Sequence, residues 1–85
     1  MTQAADRAAI VAFILDRLSS RIRVPADAID PDTDLIEFGV KSIDAVIVSG
    51  DLEDEFAVEI DPTLVFENRT VHRVADAVVA LLDRQ

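Results

Sequence analysis

Few side chains in this sequence could support catalysis. An enzyme needs a nucleophile, a base and a group that orients them, or a pair of carboxylates in a dry pocket. The chain contains one histidine, His72, and no cysteine. His72 falls in the first turn of the last predicted helix, where we expect it to be exposed. We therefore predict that the protein is not itself an enzyme.

Three aspartates have the spacing of the first three ligands of a calcium-binding EF-hand loop. Such a loop also requires glycine at its sixth position and glutamate at its twelfth. Counted from Asp30, the sixth position is Leu35 and the twelfth is Lys41. We therefore predict that Asp30, Asp32 and Asp34 form turns, and we expect no metal site.

Ser42 is the remaining residue whose side chain could take part in chemistry. Gly39 permits a turn shortly before it, and a helical apolar pattern begins at the serine. A serine at a helix start can accept a hydrogen bond from a free backbone N–H group, so Ser42 alone is typical of a helix cap. A hydroxyl in the first turn of a helix is also exposed to solvent.

Apolar residues repeated at intervals of three and four predict helices separated by loops. With 85 residues and no cysteine, we expect one all-α domain spanning residues 1–85, held by its core without disulfides. A long loop over residues 21–41 contains Pro25 and Pro31 and is anchored by apolar side chains. The helices are predicted near Thr2 to Ser20, from Ser42 to Phe56, in a short turn from Asp61 through Phe66, and from a cap at Thr70 onward.

The second predicted helix has two apolar faces. One face can close the core and comprises Ala45, Val48, Ser49, Leu52 and Phe56. The other, here called the second apolar face, comprises Ile43, Val46, Ile47 and Gly50. This face either packs under the long loop or stays exposed to meet a partner. We expect the partner-binding residues to be Lys41, Ile43, Asp44, Val46, Ile47, Gly50, Glu53 and Asp54.

Gly50 lies within this helix, where glycine costs about 1 kcal/mol relative to alanine. Either a neighbouring backbone packs closely against it, or a partner or cargo passes over it.

Acidic residues are concentrated in the middle of the chain. Of 17 acidic residues, 13 lie between Pro25 and Arg69, an interval whose interior contains one basic residue, Lys41. The electrostatic field of these residues repels nucleic acids and anionic membranes and attracts basic protein surfaces. The alternative is that the acidic residues only keep a small protein in solution. The N-terminal sequence shows no secretory pattern. We expect a cytoplasmic monomer that binds neither nucleic acid nor membrane.

The segment DLIEFGVKSIDAV, residues 34–46, resembles the signature of acyl carrier proteins. The segments LEDEF, residues 52–56, and IDPTLVF, residues 60–66, follow the same order and spacing. The resemblance covers nearly the whole chain and implies a small four-helix bundle of the acyl-carrier type, with a long first loop and a short third helix. It also implies that Ser42 receives 4'-phosphopantetheine from coenzyme A through a separate phosphopantetheinyl transferase.

The resemblance further implies that the thiol of this arm carries acyl groups as thioesters. The partners would then be an acyltransferase or acyl-loading ligase and a ketosynthase. Two positions depart from the family pattern: Lys41 replaces the usual aspartate before the serine, and Ile47 stands where an acidic residue is more common. The segment Pro62 to Phe66 resembles polyketide synthase carriers more than fatty acid carriers. A peptidyl carrier and an unmodified acidic adaptor are the alternatives.

Overall fold

The computed structural model describes residues 6–84 and contains four α-helices. No strand occurs within that range, so the predicted all-α architecture is confirmed. Two 3-10 turns, over Ala26–Ala28 and Leu35–Phe38, lie in the long loop between the first two helices. The helices are α1 (Arg7–Ile22), α2 (Ser42–Phe56), α3 (Leu64–Asn68) and α4 (Val71–Asp83).

Helix α1 begins at Arg7 and ends later than predicted. The Asp6 side chain accepts a hydrogen bond from the Ala8 N–H at 3.0 Å and caps the helix start. The predicted start at Thr2 lies outside the described residues. At the other end, α1 continues two residues past Ser20 and stops where Arg23 adopts the left-handed conformation, with φ of 61°. The apolar pattern therefore located α1 correctly, but the cap residues set its limits.

The last three helices follow local signals in the sequence. Helix α2 has the predicted limits, and Thr70 caps α4 as expected by accepting from the Arg73 N–H at 3.2 Å. The predicted turn from Asp61 through Phe66 was placed too early, because α3 spans Leu64–Asn68. Asp61 instead forms a turn in which its carboxylate accepts from the N–H and hydroxyl of Thr63, at 2.9 and 2.7 Å.

All four helices contribute fully or almost fully buried side chains to one core. Helix α1 supplies Ile10, Ile14 and Leu18, and the predicted core face of α2 supplies Ala45, Val48 and Leu52. Phe56, also assigned to that face, is half-buried and packs edge-on against Phe13, with ring centroids 5.6 Å apart. The remaining buried apolar residues come from α3, α4 and the loops: Leu64, Val65, Val71, Val74, Ala75, Val78, Ile29, Leu35, Val40, Val58 and Ile60.

The long loop is tied to the start of α4 by polar contacts. The Leu35 N–H donates to the Arg69 carbonyl at 2.7 Å, and the His72 N–H donates to the Pro31 carbonyl at 3.0 Å. His72, expected to be exposed, is half-buried, and its Nδ1 lies 2.7 Å from Asp32 Oδ1. The loop leading to Ser42 is therefore held at its middle by the fold.

The aspartates of this loop form the predicted turns. Asp30 Oδ1 accepts from the Asp32 N–H at 2.8 Å, and Asp34 Oδ1 accepts from the Ile36 N–H at 3.0 Å. Asp34 also binds Arg69 Nε at 2.8 Å. The backbone N–H of Ile36 and the Arg69 guanidinium hold the pKa of Asp34 below its ordinary value. These carboxylates thus serve the local backbone and neighbouring side chains.

Candidate functional site

Ser42 is the first residue of α2 and is exposed to solvent. The loop turns at Gly39, whose φ of 85° is a left-handed conformation that glycine adopts without steric cost. Val40 then enters the core, and the next two residues return to the surface. The Gly39 turn and the buried Val40 side chain thus present Lys41 and Ser42 on the outside of the protein.

The cap of α2 is Lys41 rather than the serine. Lys41 has the extended backbone of an N-cap residue, and its carbonyl accepts the Ala45 N–H at 3.0 Å. Its own N–H donates to Asp44 Oδ2 at 3.0 Å. No described residue hydrogen-bonds to the Ser42 hydroxyl. The interpretation of Ser42 as a helix cap is therefore wrong, and its hydroxyl is left available for chemistry.

Asp44 lies inside the protein and not on the surface predicted for partner binding. Its side chain is 12% exposed, and Oδ1 accepts from Arg21 Nε at 3.0 Å. The Lys41 N–H and the Arg21 guanidinium stabilise the charged carboxylate and hold the pKa of Asp44 below its ordinary value, although partial burial acts in the opposite direction. The prediction failed because Arg21 lies on α1, distant in sequence.

The pKa of Asp44 sets an expectation for acid stability. A carboxyl whose pKa is lower when folded stabilises the protein above its unfolded pKa, about 3.9, and loses that contribution as the pH falls through the folded value. The free energy of unfolding should therefore fall on acidification below about pH 4, and fall less in Asp44→Asn. Denaturant melts across this pH range measure how steeply the free energy of unfolding changes with pH. Asp54→Asn, which removes an exposed carboxyl, serves as the control. If both substitutions reduced the pH dependence of the free energy of unfolding equally, the assignment of this dependence to Asp44 would be contradicted.

The second apolar face is only partly covered. Ile43 and Val46 are 59% and 43% exposed, whereas Ile47 and Gly50 are half-buried. The long loop therefore does not bury this face, and the packing alternative fails for Ile43 and Val46. An apolar surface of this kind at the start of α2 is suited to a transient contact.

Two further exposed apolar residues were not among the predicted site residues. Ile36 is 56% exposed in the second 3-10 turn, and Phe66 is 45% exposed on α3. Each directly follows a buried core residue, Leu35 or Val65, so the apolar pattern alone does not distinguish them from the core. The elements before and after α2 thus also present apolar side chains.

The charged residues predicted to bind partners differ in their exposure to solvent and in their contacts. Asp54 is exposed, whereas Glu53 is half-buried and its Oε2 accepts from the Ile60 N–H at 3.3 Å. Lys41 is exposed and forms no ion pair with any described residue. A cation therefore stands directly beside Ser42, within an otherwise acidic region.

Gly50 has space around its missing side chain. A Cβ built there would meet no atom of the described residues within 4 Å outside its own helix backbone and chain neighbours. Close packing by a neighbouring backbone is therefore not the reason for glycine, and passage of a partner or cargo remains our prediction. We expect Gly50→Ala to raise the free energy of unfolding by up to about 1 kcal/mol.

The same Gly50 variant should transfer its cargo more slowly, because a methyl group would occupy the gap. A denaturant melt and a transfer rate with the partner enzyme measure the two effects. A stabilised variant with normal transfer would show that the gap has no role.

Residues 6–84 offer neither a metal cluster nor a substrate cavity. None of the helices in these residues combines the length and the apolar composition that a membrane span requires. The surface at Ser42 does suit an attached phosphodiester. The hydroxyl is free, it lies at the positive dipole end of α2, and the preceding residue is the exposed Lys41.

Comparisons with known proteins agree with this geometry. Residues 12–78 match the family model described as the phosphopantetheine attachment site. A 63-residue match is 33% identical to one subunit of the phenolphthiocerol/phthiocerol polyketide synthase of Mycobacterium tuberculosis, and a 70-residue match is 27% identical to the polyketide synthase PksR of Bacillus subtilis. These matches cover 74% and 82% of this chain but 3% of each synthase protein.

Two solved structures share the fold. A free-standing peptidyl carrier protein of Acinetobacter baumannii superposes with a TM-score of 0.86 and 37% identity, over 93% of this chain and 99% of that one. An A1-type acyl carrier domain from module 5 of MLSA1 has a TM-score of 0.77, with 88% and 76% coverage; at 22% identity it supports the fold alone. The chain belongs to the phosphopantetheine-binding carrier family, whose members are non-catalytic and bear a 4'-phosphopantetheine prosthetic group.

Proposed function

We propose that this protein holds acyl intermediates as thioesters on a 4'-phosphopantetheine arm at Ser42, in polyketide or related secondary-metabolite biosynthesis. The observation that carries the proposal is the exposed Ser42 hydroxyl, which no described residue engages, at the start of α2 in a chain of the phosphopantetheine family. The similarity to polyketide synthases supports the choice of acyl cargo.

Ser42 would be modified by a phosphopantetheinyl transferase. Its Oγ forms a bond to the phosphorus atom that carries the pantetheine arm in coenzyme A, and the bond from that phosphorus to the adenosine bisphosphate breaks. The hydroxyl proton passes to a base of the transferase. The start of α2 and the Lys41 ammonium would stabilise the phosphodiester charge. The attached arm supplies the thiol that carries acyl groups.

The second apolar face would contact the transferase, the acyltransferase or acyl-loading ligase, and the ketosynthase. Ile43 and Val46 are exposed on the same helix as Ser42, so a partner that covers them also approaches the serine. Asp54 adds negative charge further along the helix, and Lys41 adds positive charge at its start. Partners with mainly basic surfaces and apolar centres fit this arrangement.

A peptidyl carrier is the second candidate function. The solved structure with 37% identity is a free-standing peptidyl carrier protein, and it matches this chain over nearly its full length. Such a carrier would use the same serine and arm for an aminoacyl group, so Ser42 alone does not distinguish the two cargoes.

Intact-mass measurement tests the attachment. The native protein, incubated with coenzyme A and a broad-specificity transferase, should gain the mass of one phosphopantetheine group. No gain with several competent transferases would support an unmodified acidic adaptor. The modified protein should then be offered to the acyl-loading and amino acid-activating enzymes encoded beside its gene. Acylation supports the polyketide assignment, and aminoacylation alone supports the peptidyl carrier.

Association with partner enzymes should depend strongly on salt. The interval between Pro25 and Arg69 carries 13 acidic residues, with Lys41 as the only basic residue in its interior, so attraction to a basic partner acts at long range. The Debye length falls from about 10 Å at 0.1 M salt to about 3 Å at 1 M, and the association rate should fall with it. Stopped-flow binding across this range measures the effect. A flat rate would contradict electrostatic steering.

A further inference from the structure

Two ion pairs join α1 to α2, and only one of them reaches the Ser42 end of α2. Arg21 Nε binds Asp44 Oδ1 at 3.0 Å, and Arg17 Nε binds Asp51 Oδ2 at 3.1 Å. The two aspartates are seven residues apart, which is about two helical turns. The pairs thus have similar geometry on the same two helices, but they differ in their distance from Ser42.

The Arg21–Asp44 pair contacts the backbone of the residue that precedes the serine. The second oxygen of Asp44 accepts the Lys41 N–H, so one carboxylate connects the last turn of α1 with the residue preceding Ser42. The Arg17–Asp51 pair makes no such connection to the helix start. The Asp44 side chain is 12% exposed and that of Asp51 is 29% exposed, so water competes less for the first pair.

We propose that Arg21 and Asp44 are positioning residues that hold the Lys41–Ser42 backbone in the orientation required for phosphopantetheine attachment. This inference rests on the function proposed above. Arg21 fixes the direction of the Asp44 carboxylate, and the carboxylate fixes the Lys41 amide.

Single substitutions separate this role from a general contribution to folding. Arg21→Gln and Asp44→Asn remove one charge each and keep side chains of similar size, whereas Arg17→Gln removes the equivalent charge from the distant pair. We expect the first two variants to be modified about tenfold more slowly by the transferase, a loss of about 1.4 kcal/mol in transition-state stabilisation. The loss should lie mainly in kcat, because attack geometry and not docking is altered.

Two control variants are measured beside Arg21→Gln and Asp44→Asn. Arg17→Gln should be modified within about twofold of the native rate, since it does not touch the start of α2. Arg21→Lys should recover most of the kcat, because it restores the positive charge beside Asp44. Denaturant melts establish that every variant is folded under the assay conditions, so that unfolding does not contribute to the rates.

Amide hydrogen exchange provides a readout that needs no transferase. In the unmodified protein, exchange at the Lys41 amide should be faster in Arg21→Gln than in Arg17→Gln, because the carboxylate that binds the Lys41 N–H has lost its anchor. Unchanged kcat in Arg21→Gln, or an equal loss in Arg17→Gln, overturns the inference whatever the exchange shows. An unmodified native protein instead refutes the proposed function itself, and this inference with it.

Discussion

Ser42→Ala is expected to abolish modification by coenzyme A and a phosphopantetheinyl transferase. The substitution removes the oxygen that would form the bond to phosphorus, and alanine offers no replacement nucleophile. It should leave the fold intact, because Lys41 caps α2 and no described residue hydrogen-bonds to the Ser42 hydroxyl. Alanine is also a better helix former than serine. A complete loss of the mass gain should therefore accompany unchanged or slightly higher stability.

Ser20→Ala is the matched control for this experiment. Ser20 is also an exposed helical serine, but it lies in the last turn of α1 and not at a helix start. Its alanine variant should gain one phosphopantetheine group at the native rate. Modification of Ser42→Ala would show that another side chain is the acceptor and would remove the central claim about this site.

Leu52→Ala is expected to cause the largest loss of stability on α2. The Leu52 side chain is fully buried in the middle of the helix, within the core that all four helices share. Truncation of such a side chain removes favourable burial and leaves a cavity, which together cost about 2 to 5 kcal/mol. An 85-residue domain has a total stability of roughly 4 to 13 kcal/mol, so the variant should be partly unfolded at moderate denaturant concentrations.

Ile47→Ala provides the contrast on the same helix. Ile47 is half-buried and is not among the apolar residues that pack against the buried core. We expect this substitution to cost under about 1 kcal/mol of stability, yet to weaken at least one partner interaction by about tenfold. Ile47→Glu should fold equally well and shift preference toward partners with more basic surfaces.

Denaturant melts of both variants, with transfer rates to the partner enzyme, separate folding from docking. The expected pattern is a large stability loss in Leu52→Ala and a large partner effect in Ile47→Ala. A loss above about 2 kcal/mol in Ile47→Ala, with undiminished transfer by the folded fraction, would show that Ile47 belongs to the core and that the two faces of α2 are assigned one position out of register.

The limits of α2 and the cap of α4 could be read from the sequence because their signals are local. Gly39 supplies the left-handed turn before α2, and the Thr70 side chain accepts from the Arg73 N–H in the first turn of α4. The apolar intervals of three and four residues also identified the core face of α2, since any helix must bury its apolar stripe. These features depend on neighbours within about one helical turn of each residue.

Asp44 shows what the local pattern could not decide. In the sequence it is one of several acids on α2, and it was predicted to face partners. Its neutralising partner, Arg21, lies 23 residues away and meets it only when α1 packs against α2. Glu53 is half-buried and accepts from the Ile60 N–H beyond the end of α2, whereas Asp54 is exposed. The charge of each side chain is a property of the sequence, but its availability to a partner depends on which helix covers it.

The sequence by itself determined the helical class, the position of Ser42 at a helix start and the apolar faces of α2, because each follows from the periodicity and capping of a single segment. Only the tertiary structure decided that Arg21 covers Asp44, and that Ile36 and Phe66 remain exposed beside buried neighbours. Hydrogen bonds and burial of this kind depend on contacts between segments far apart in the chain, and those contacts exist only when the helices are packed together.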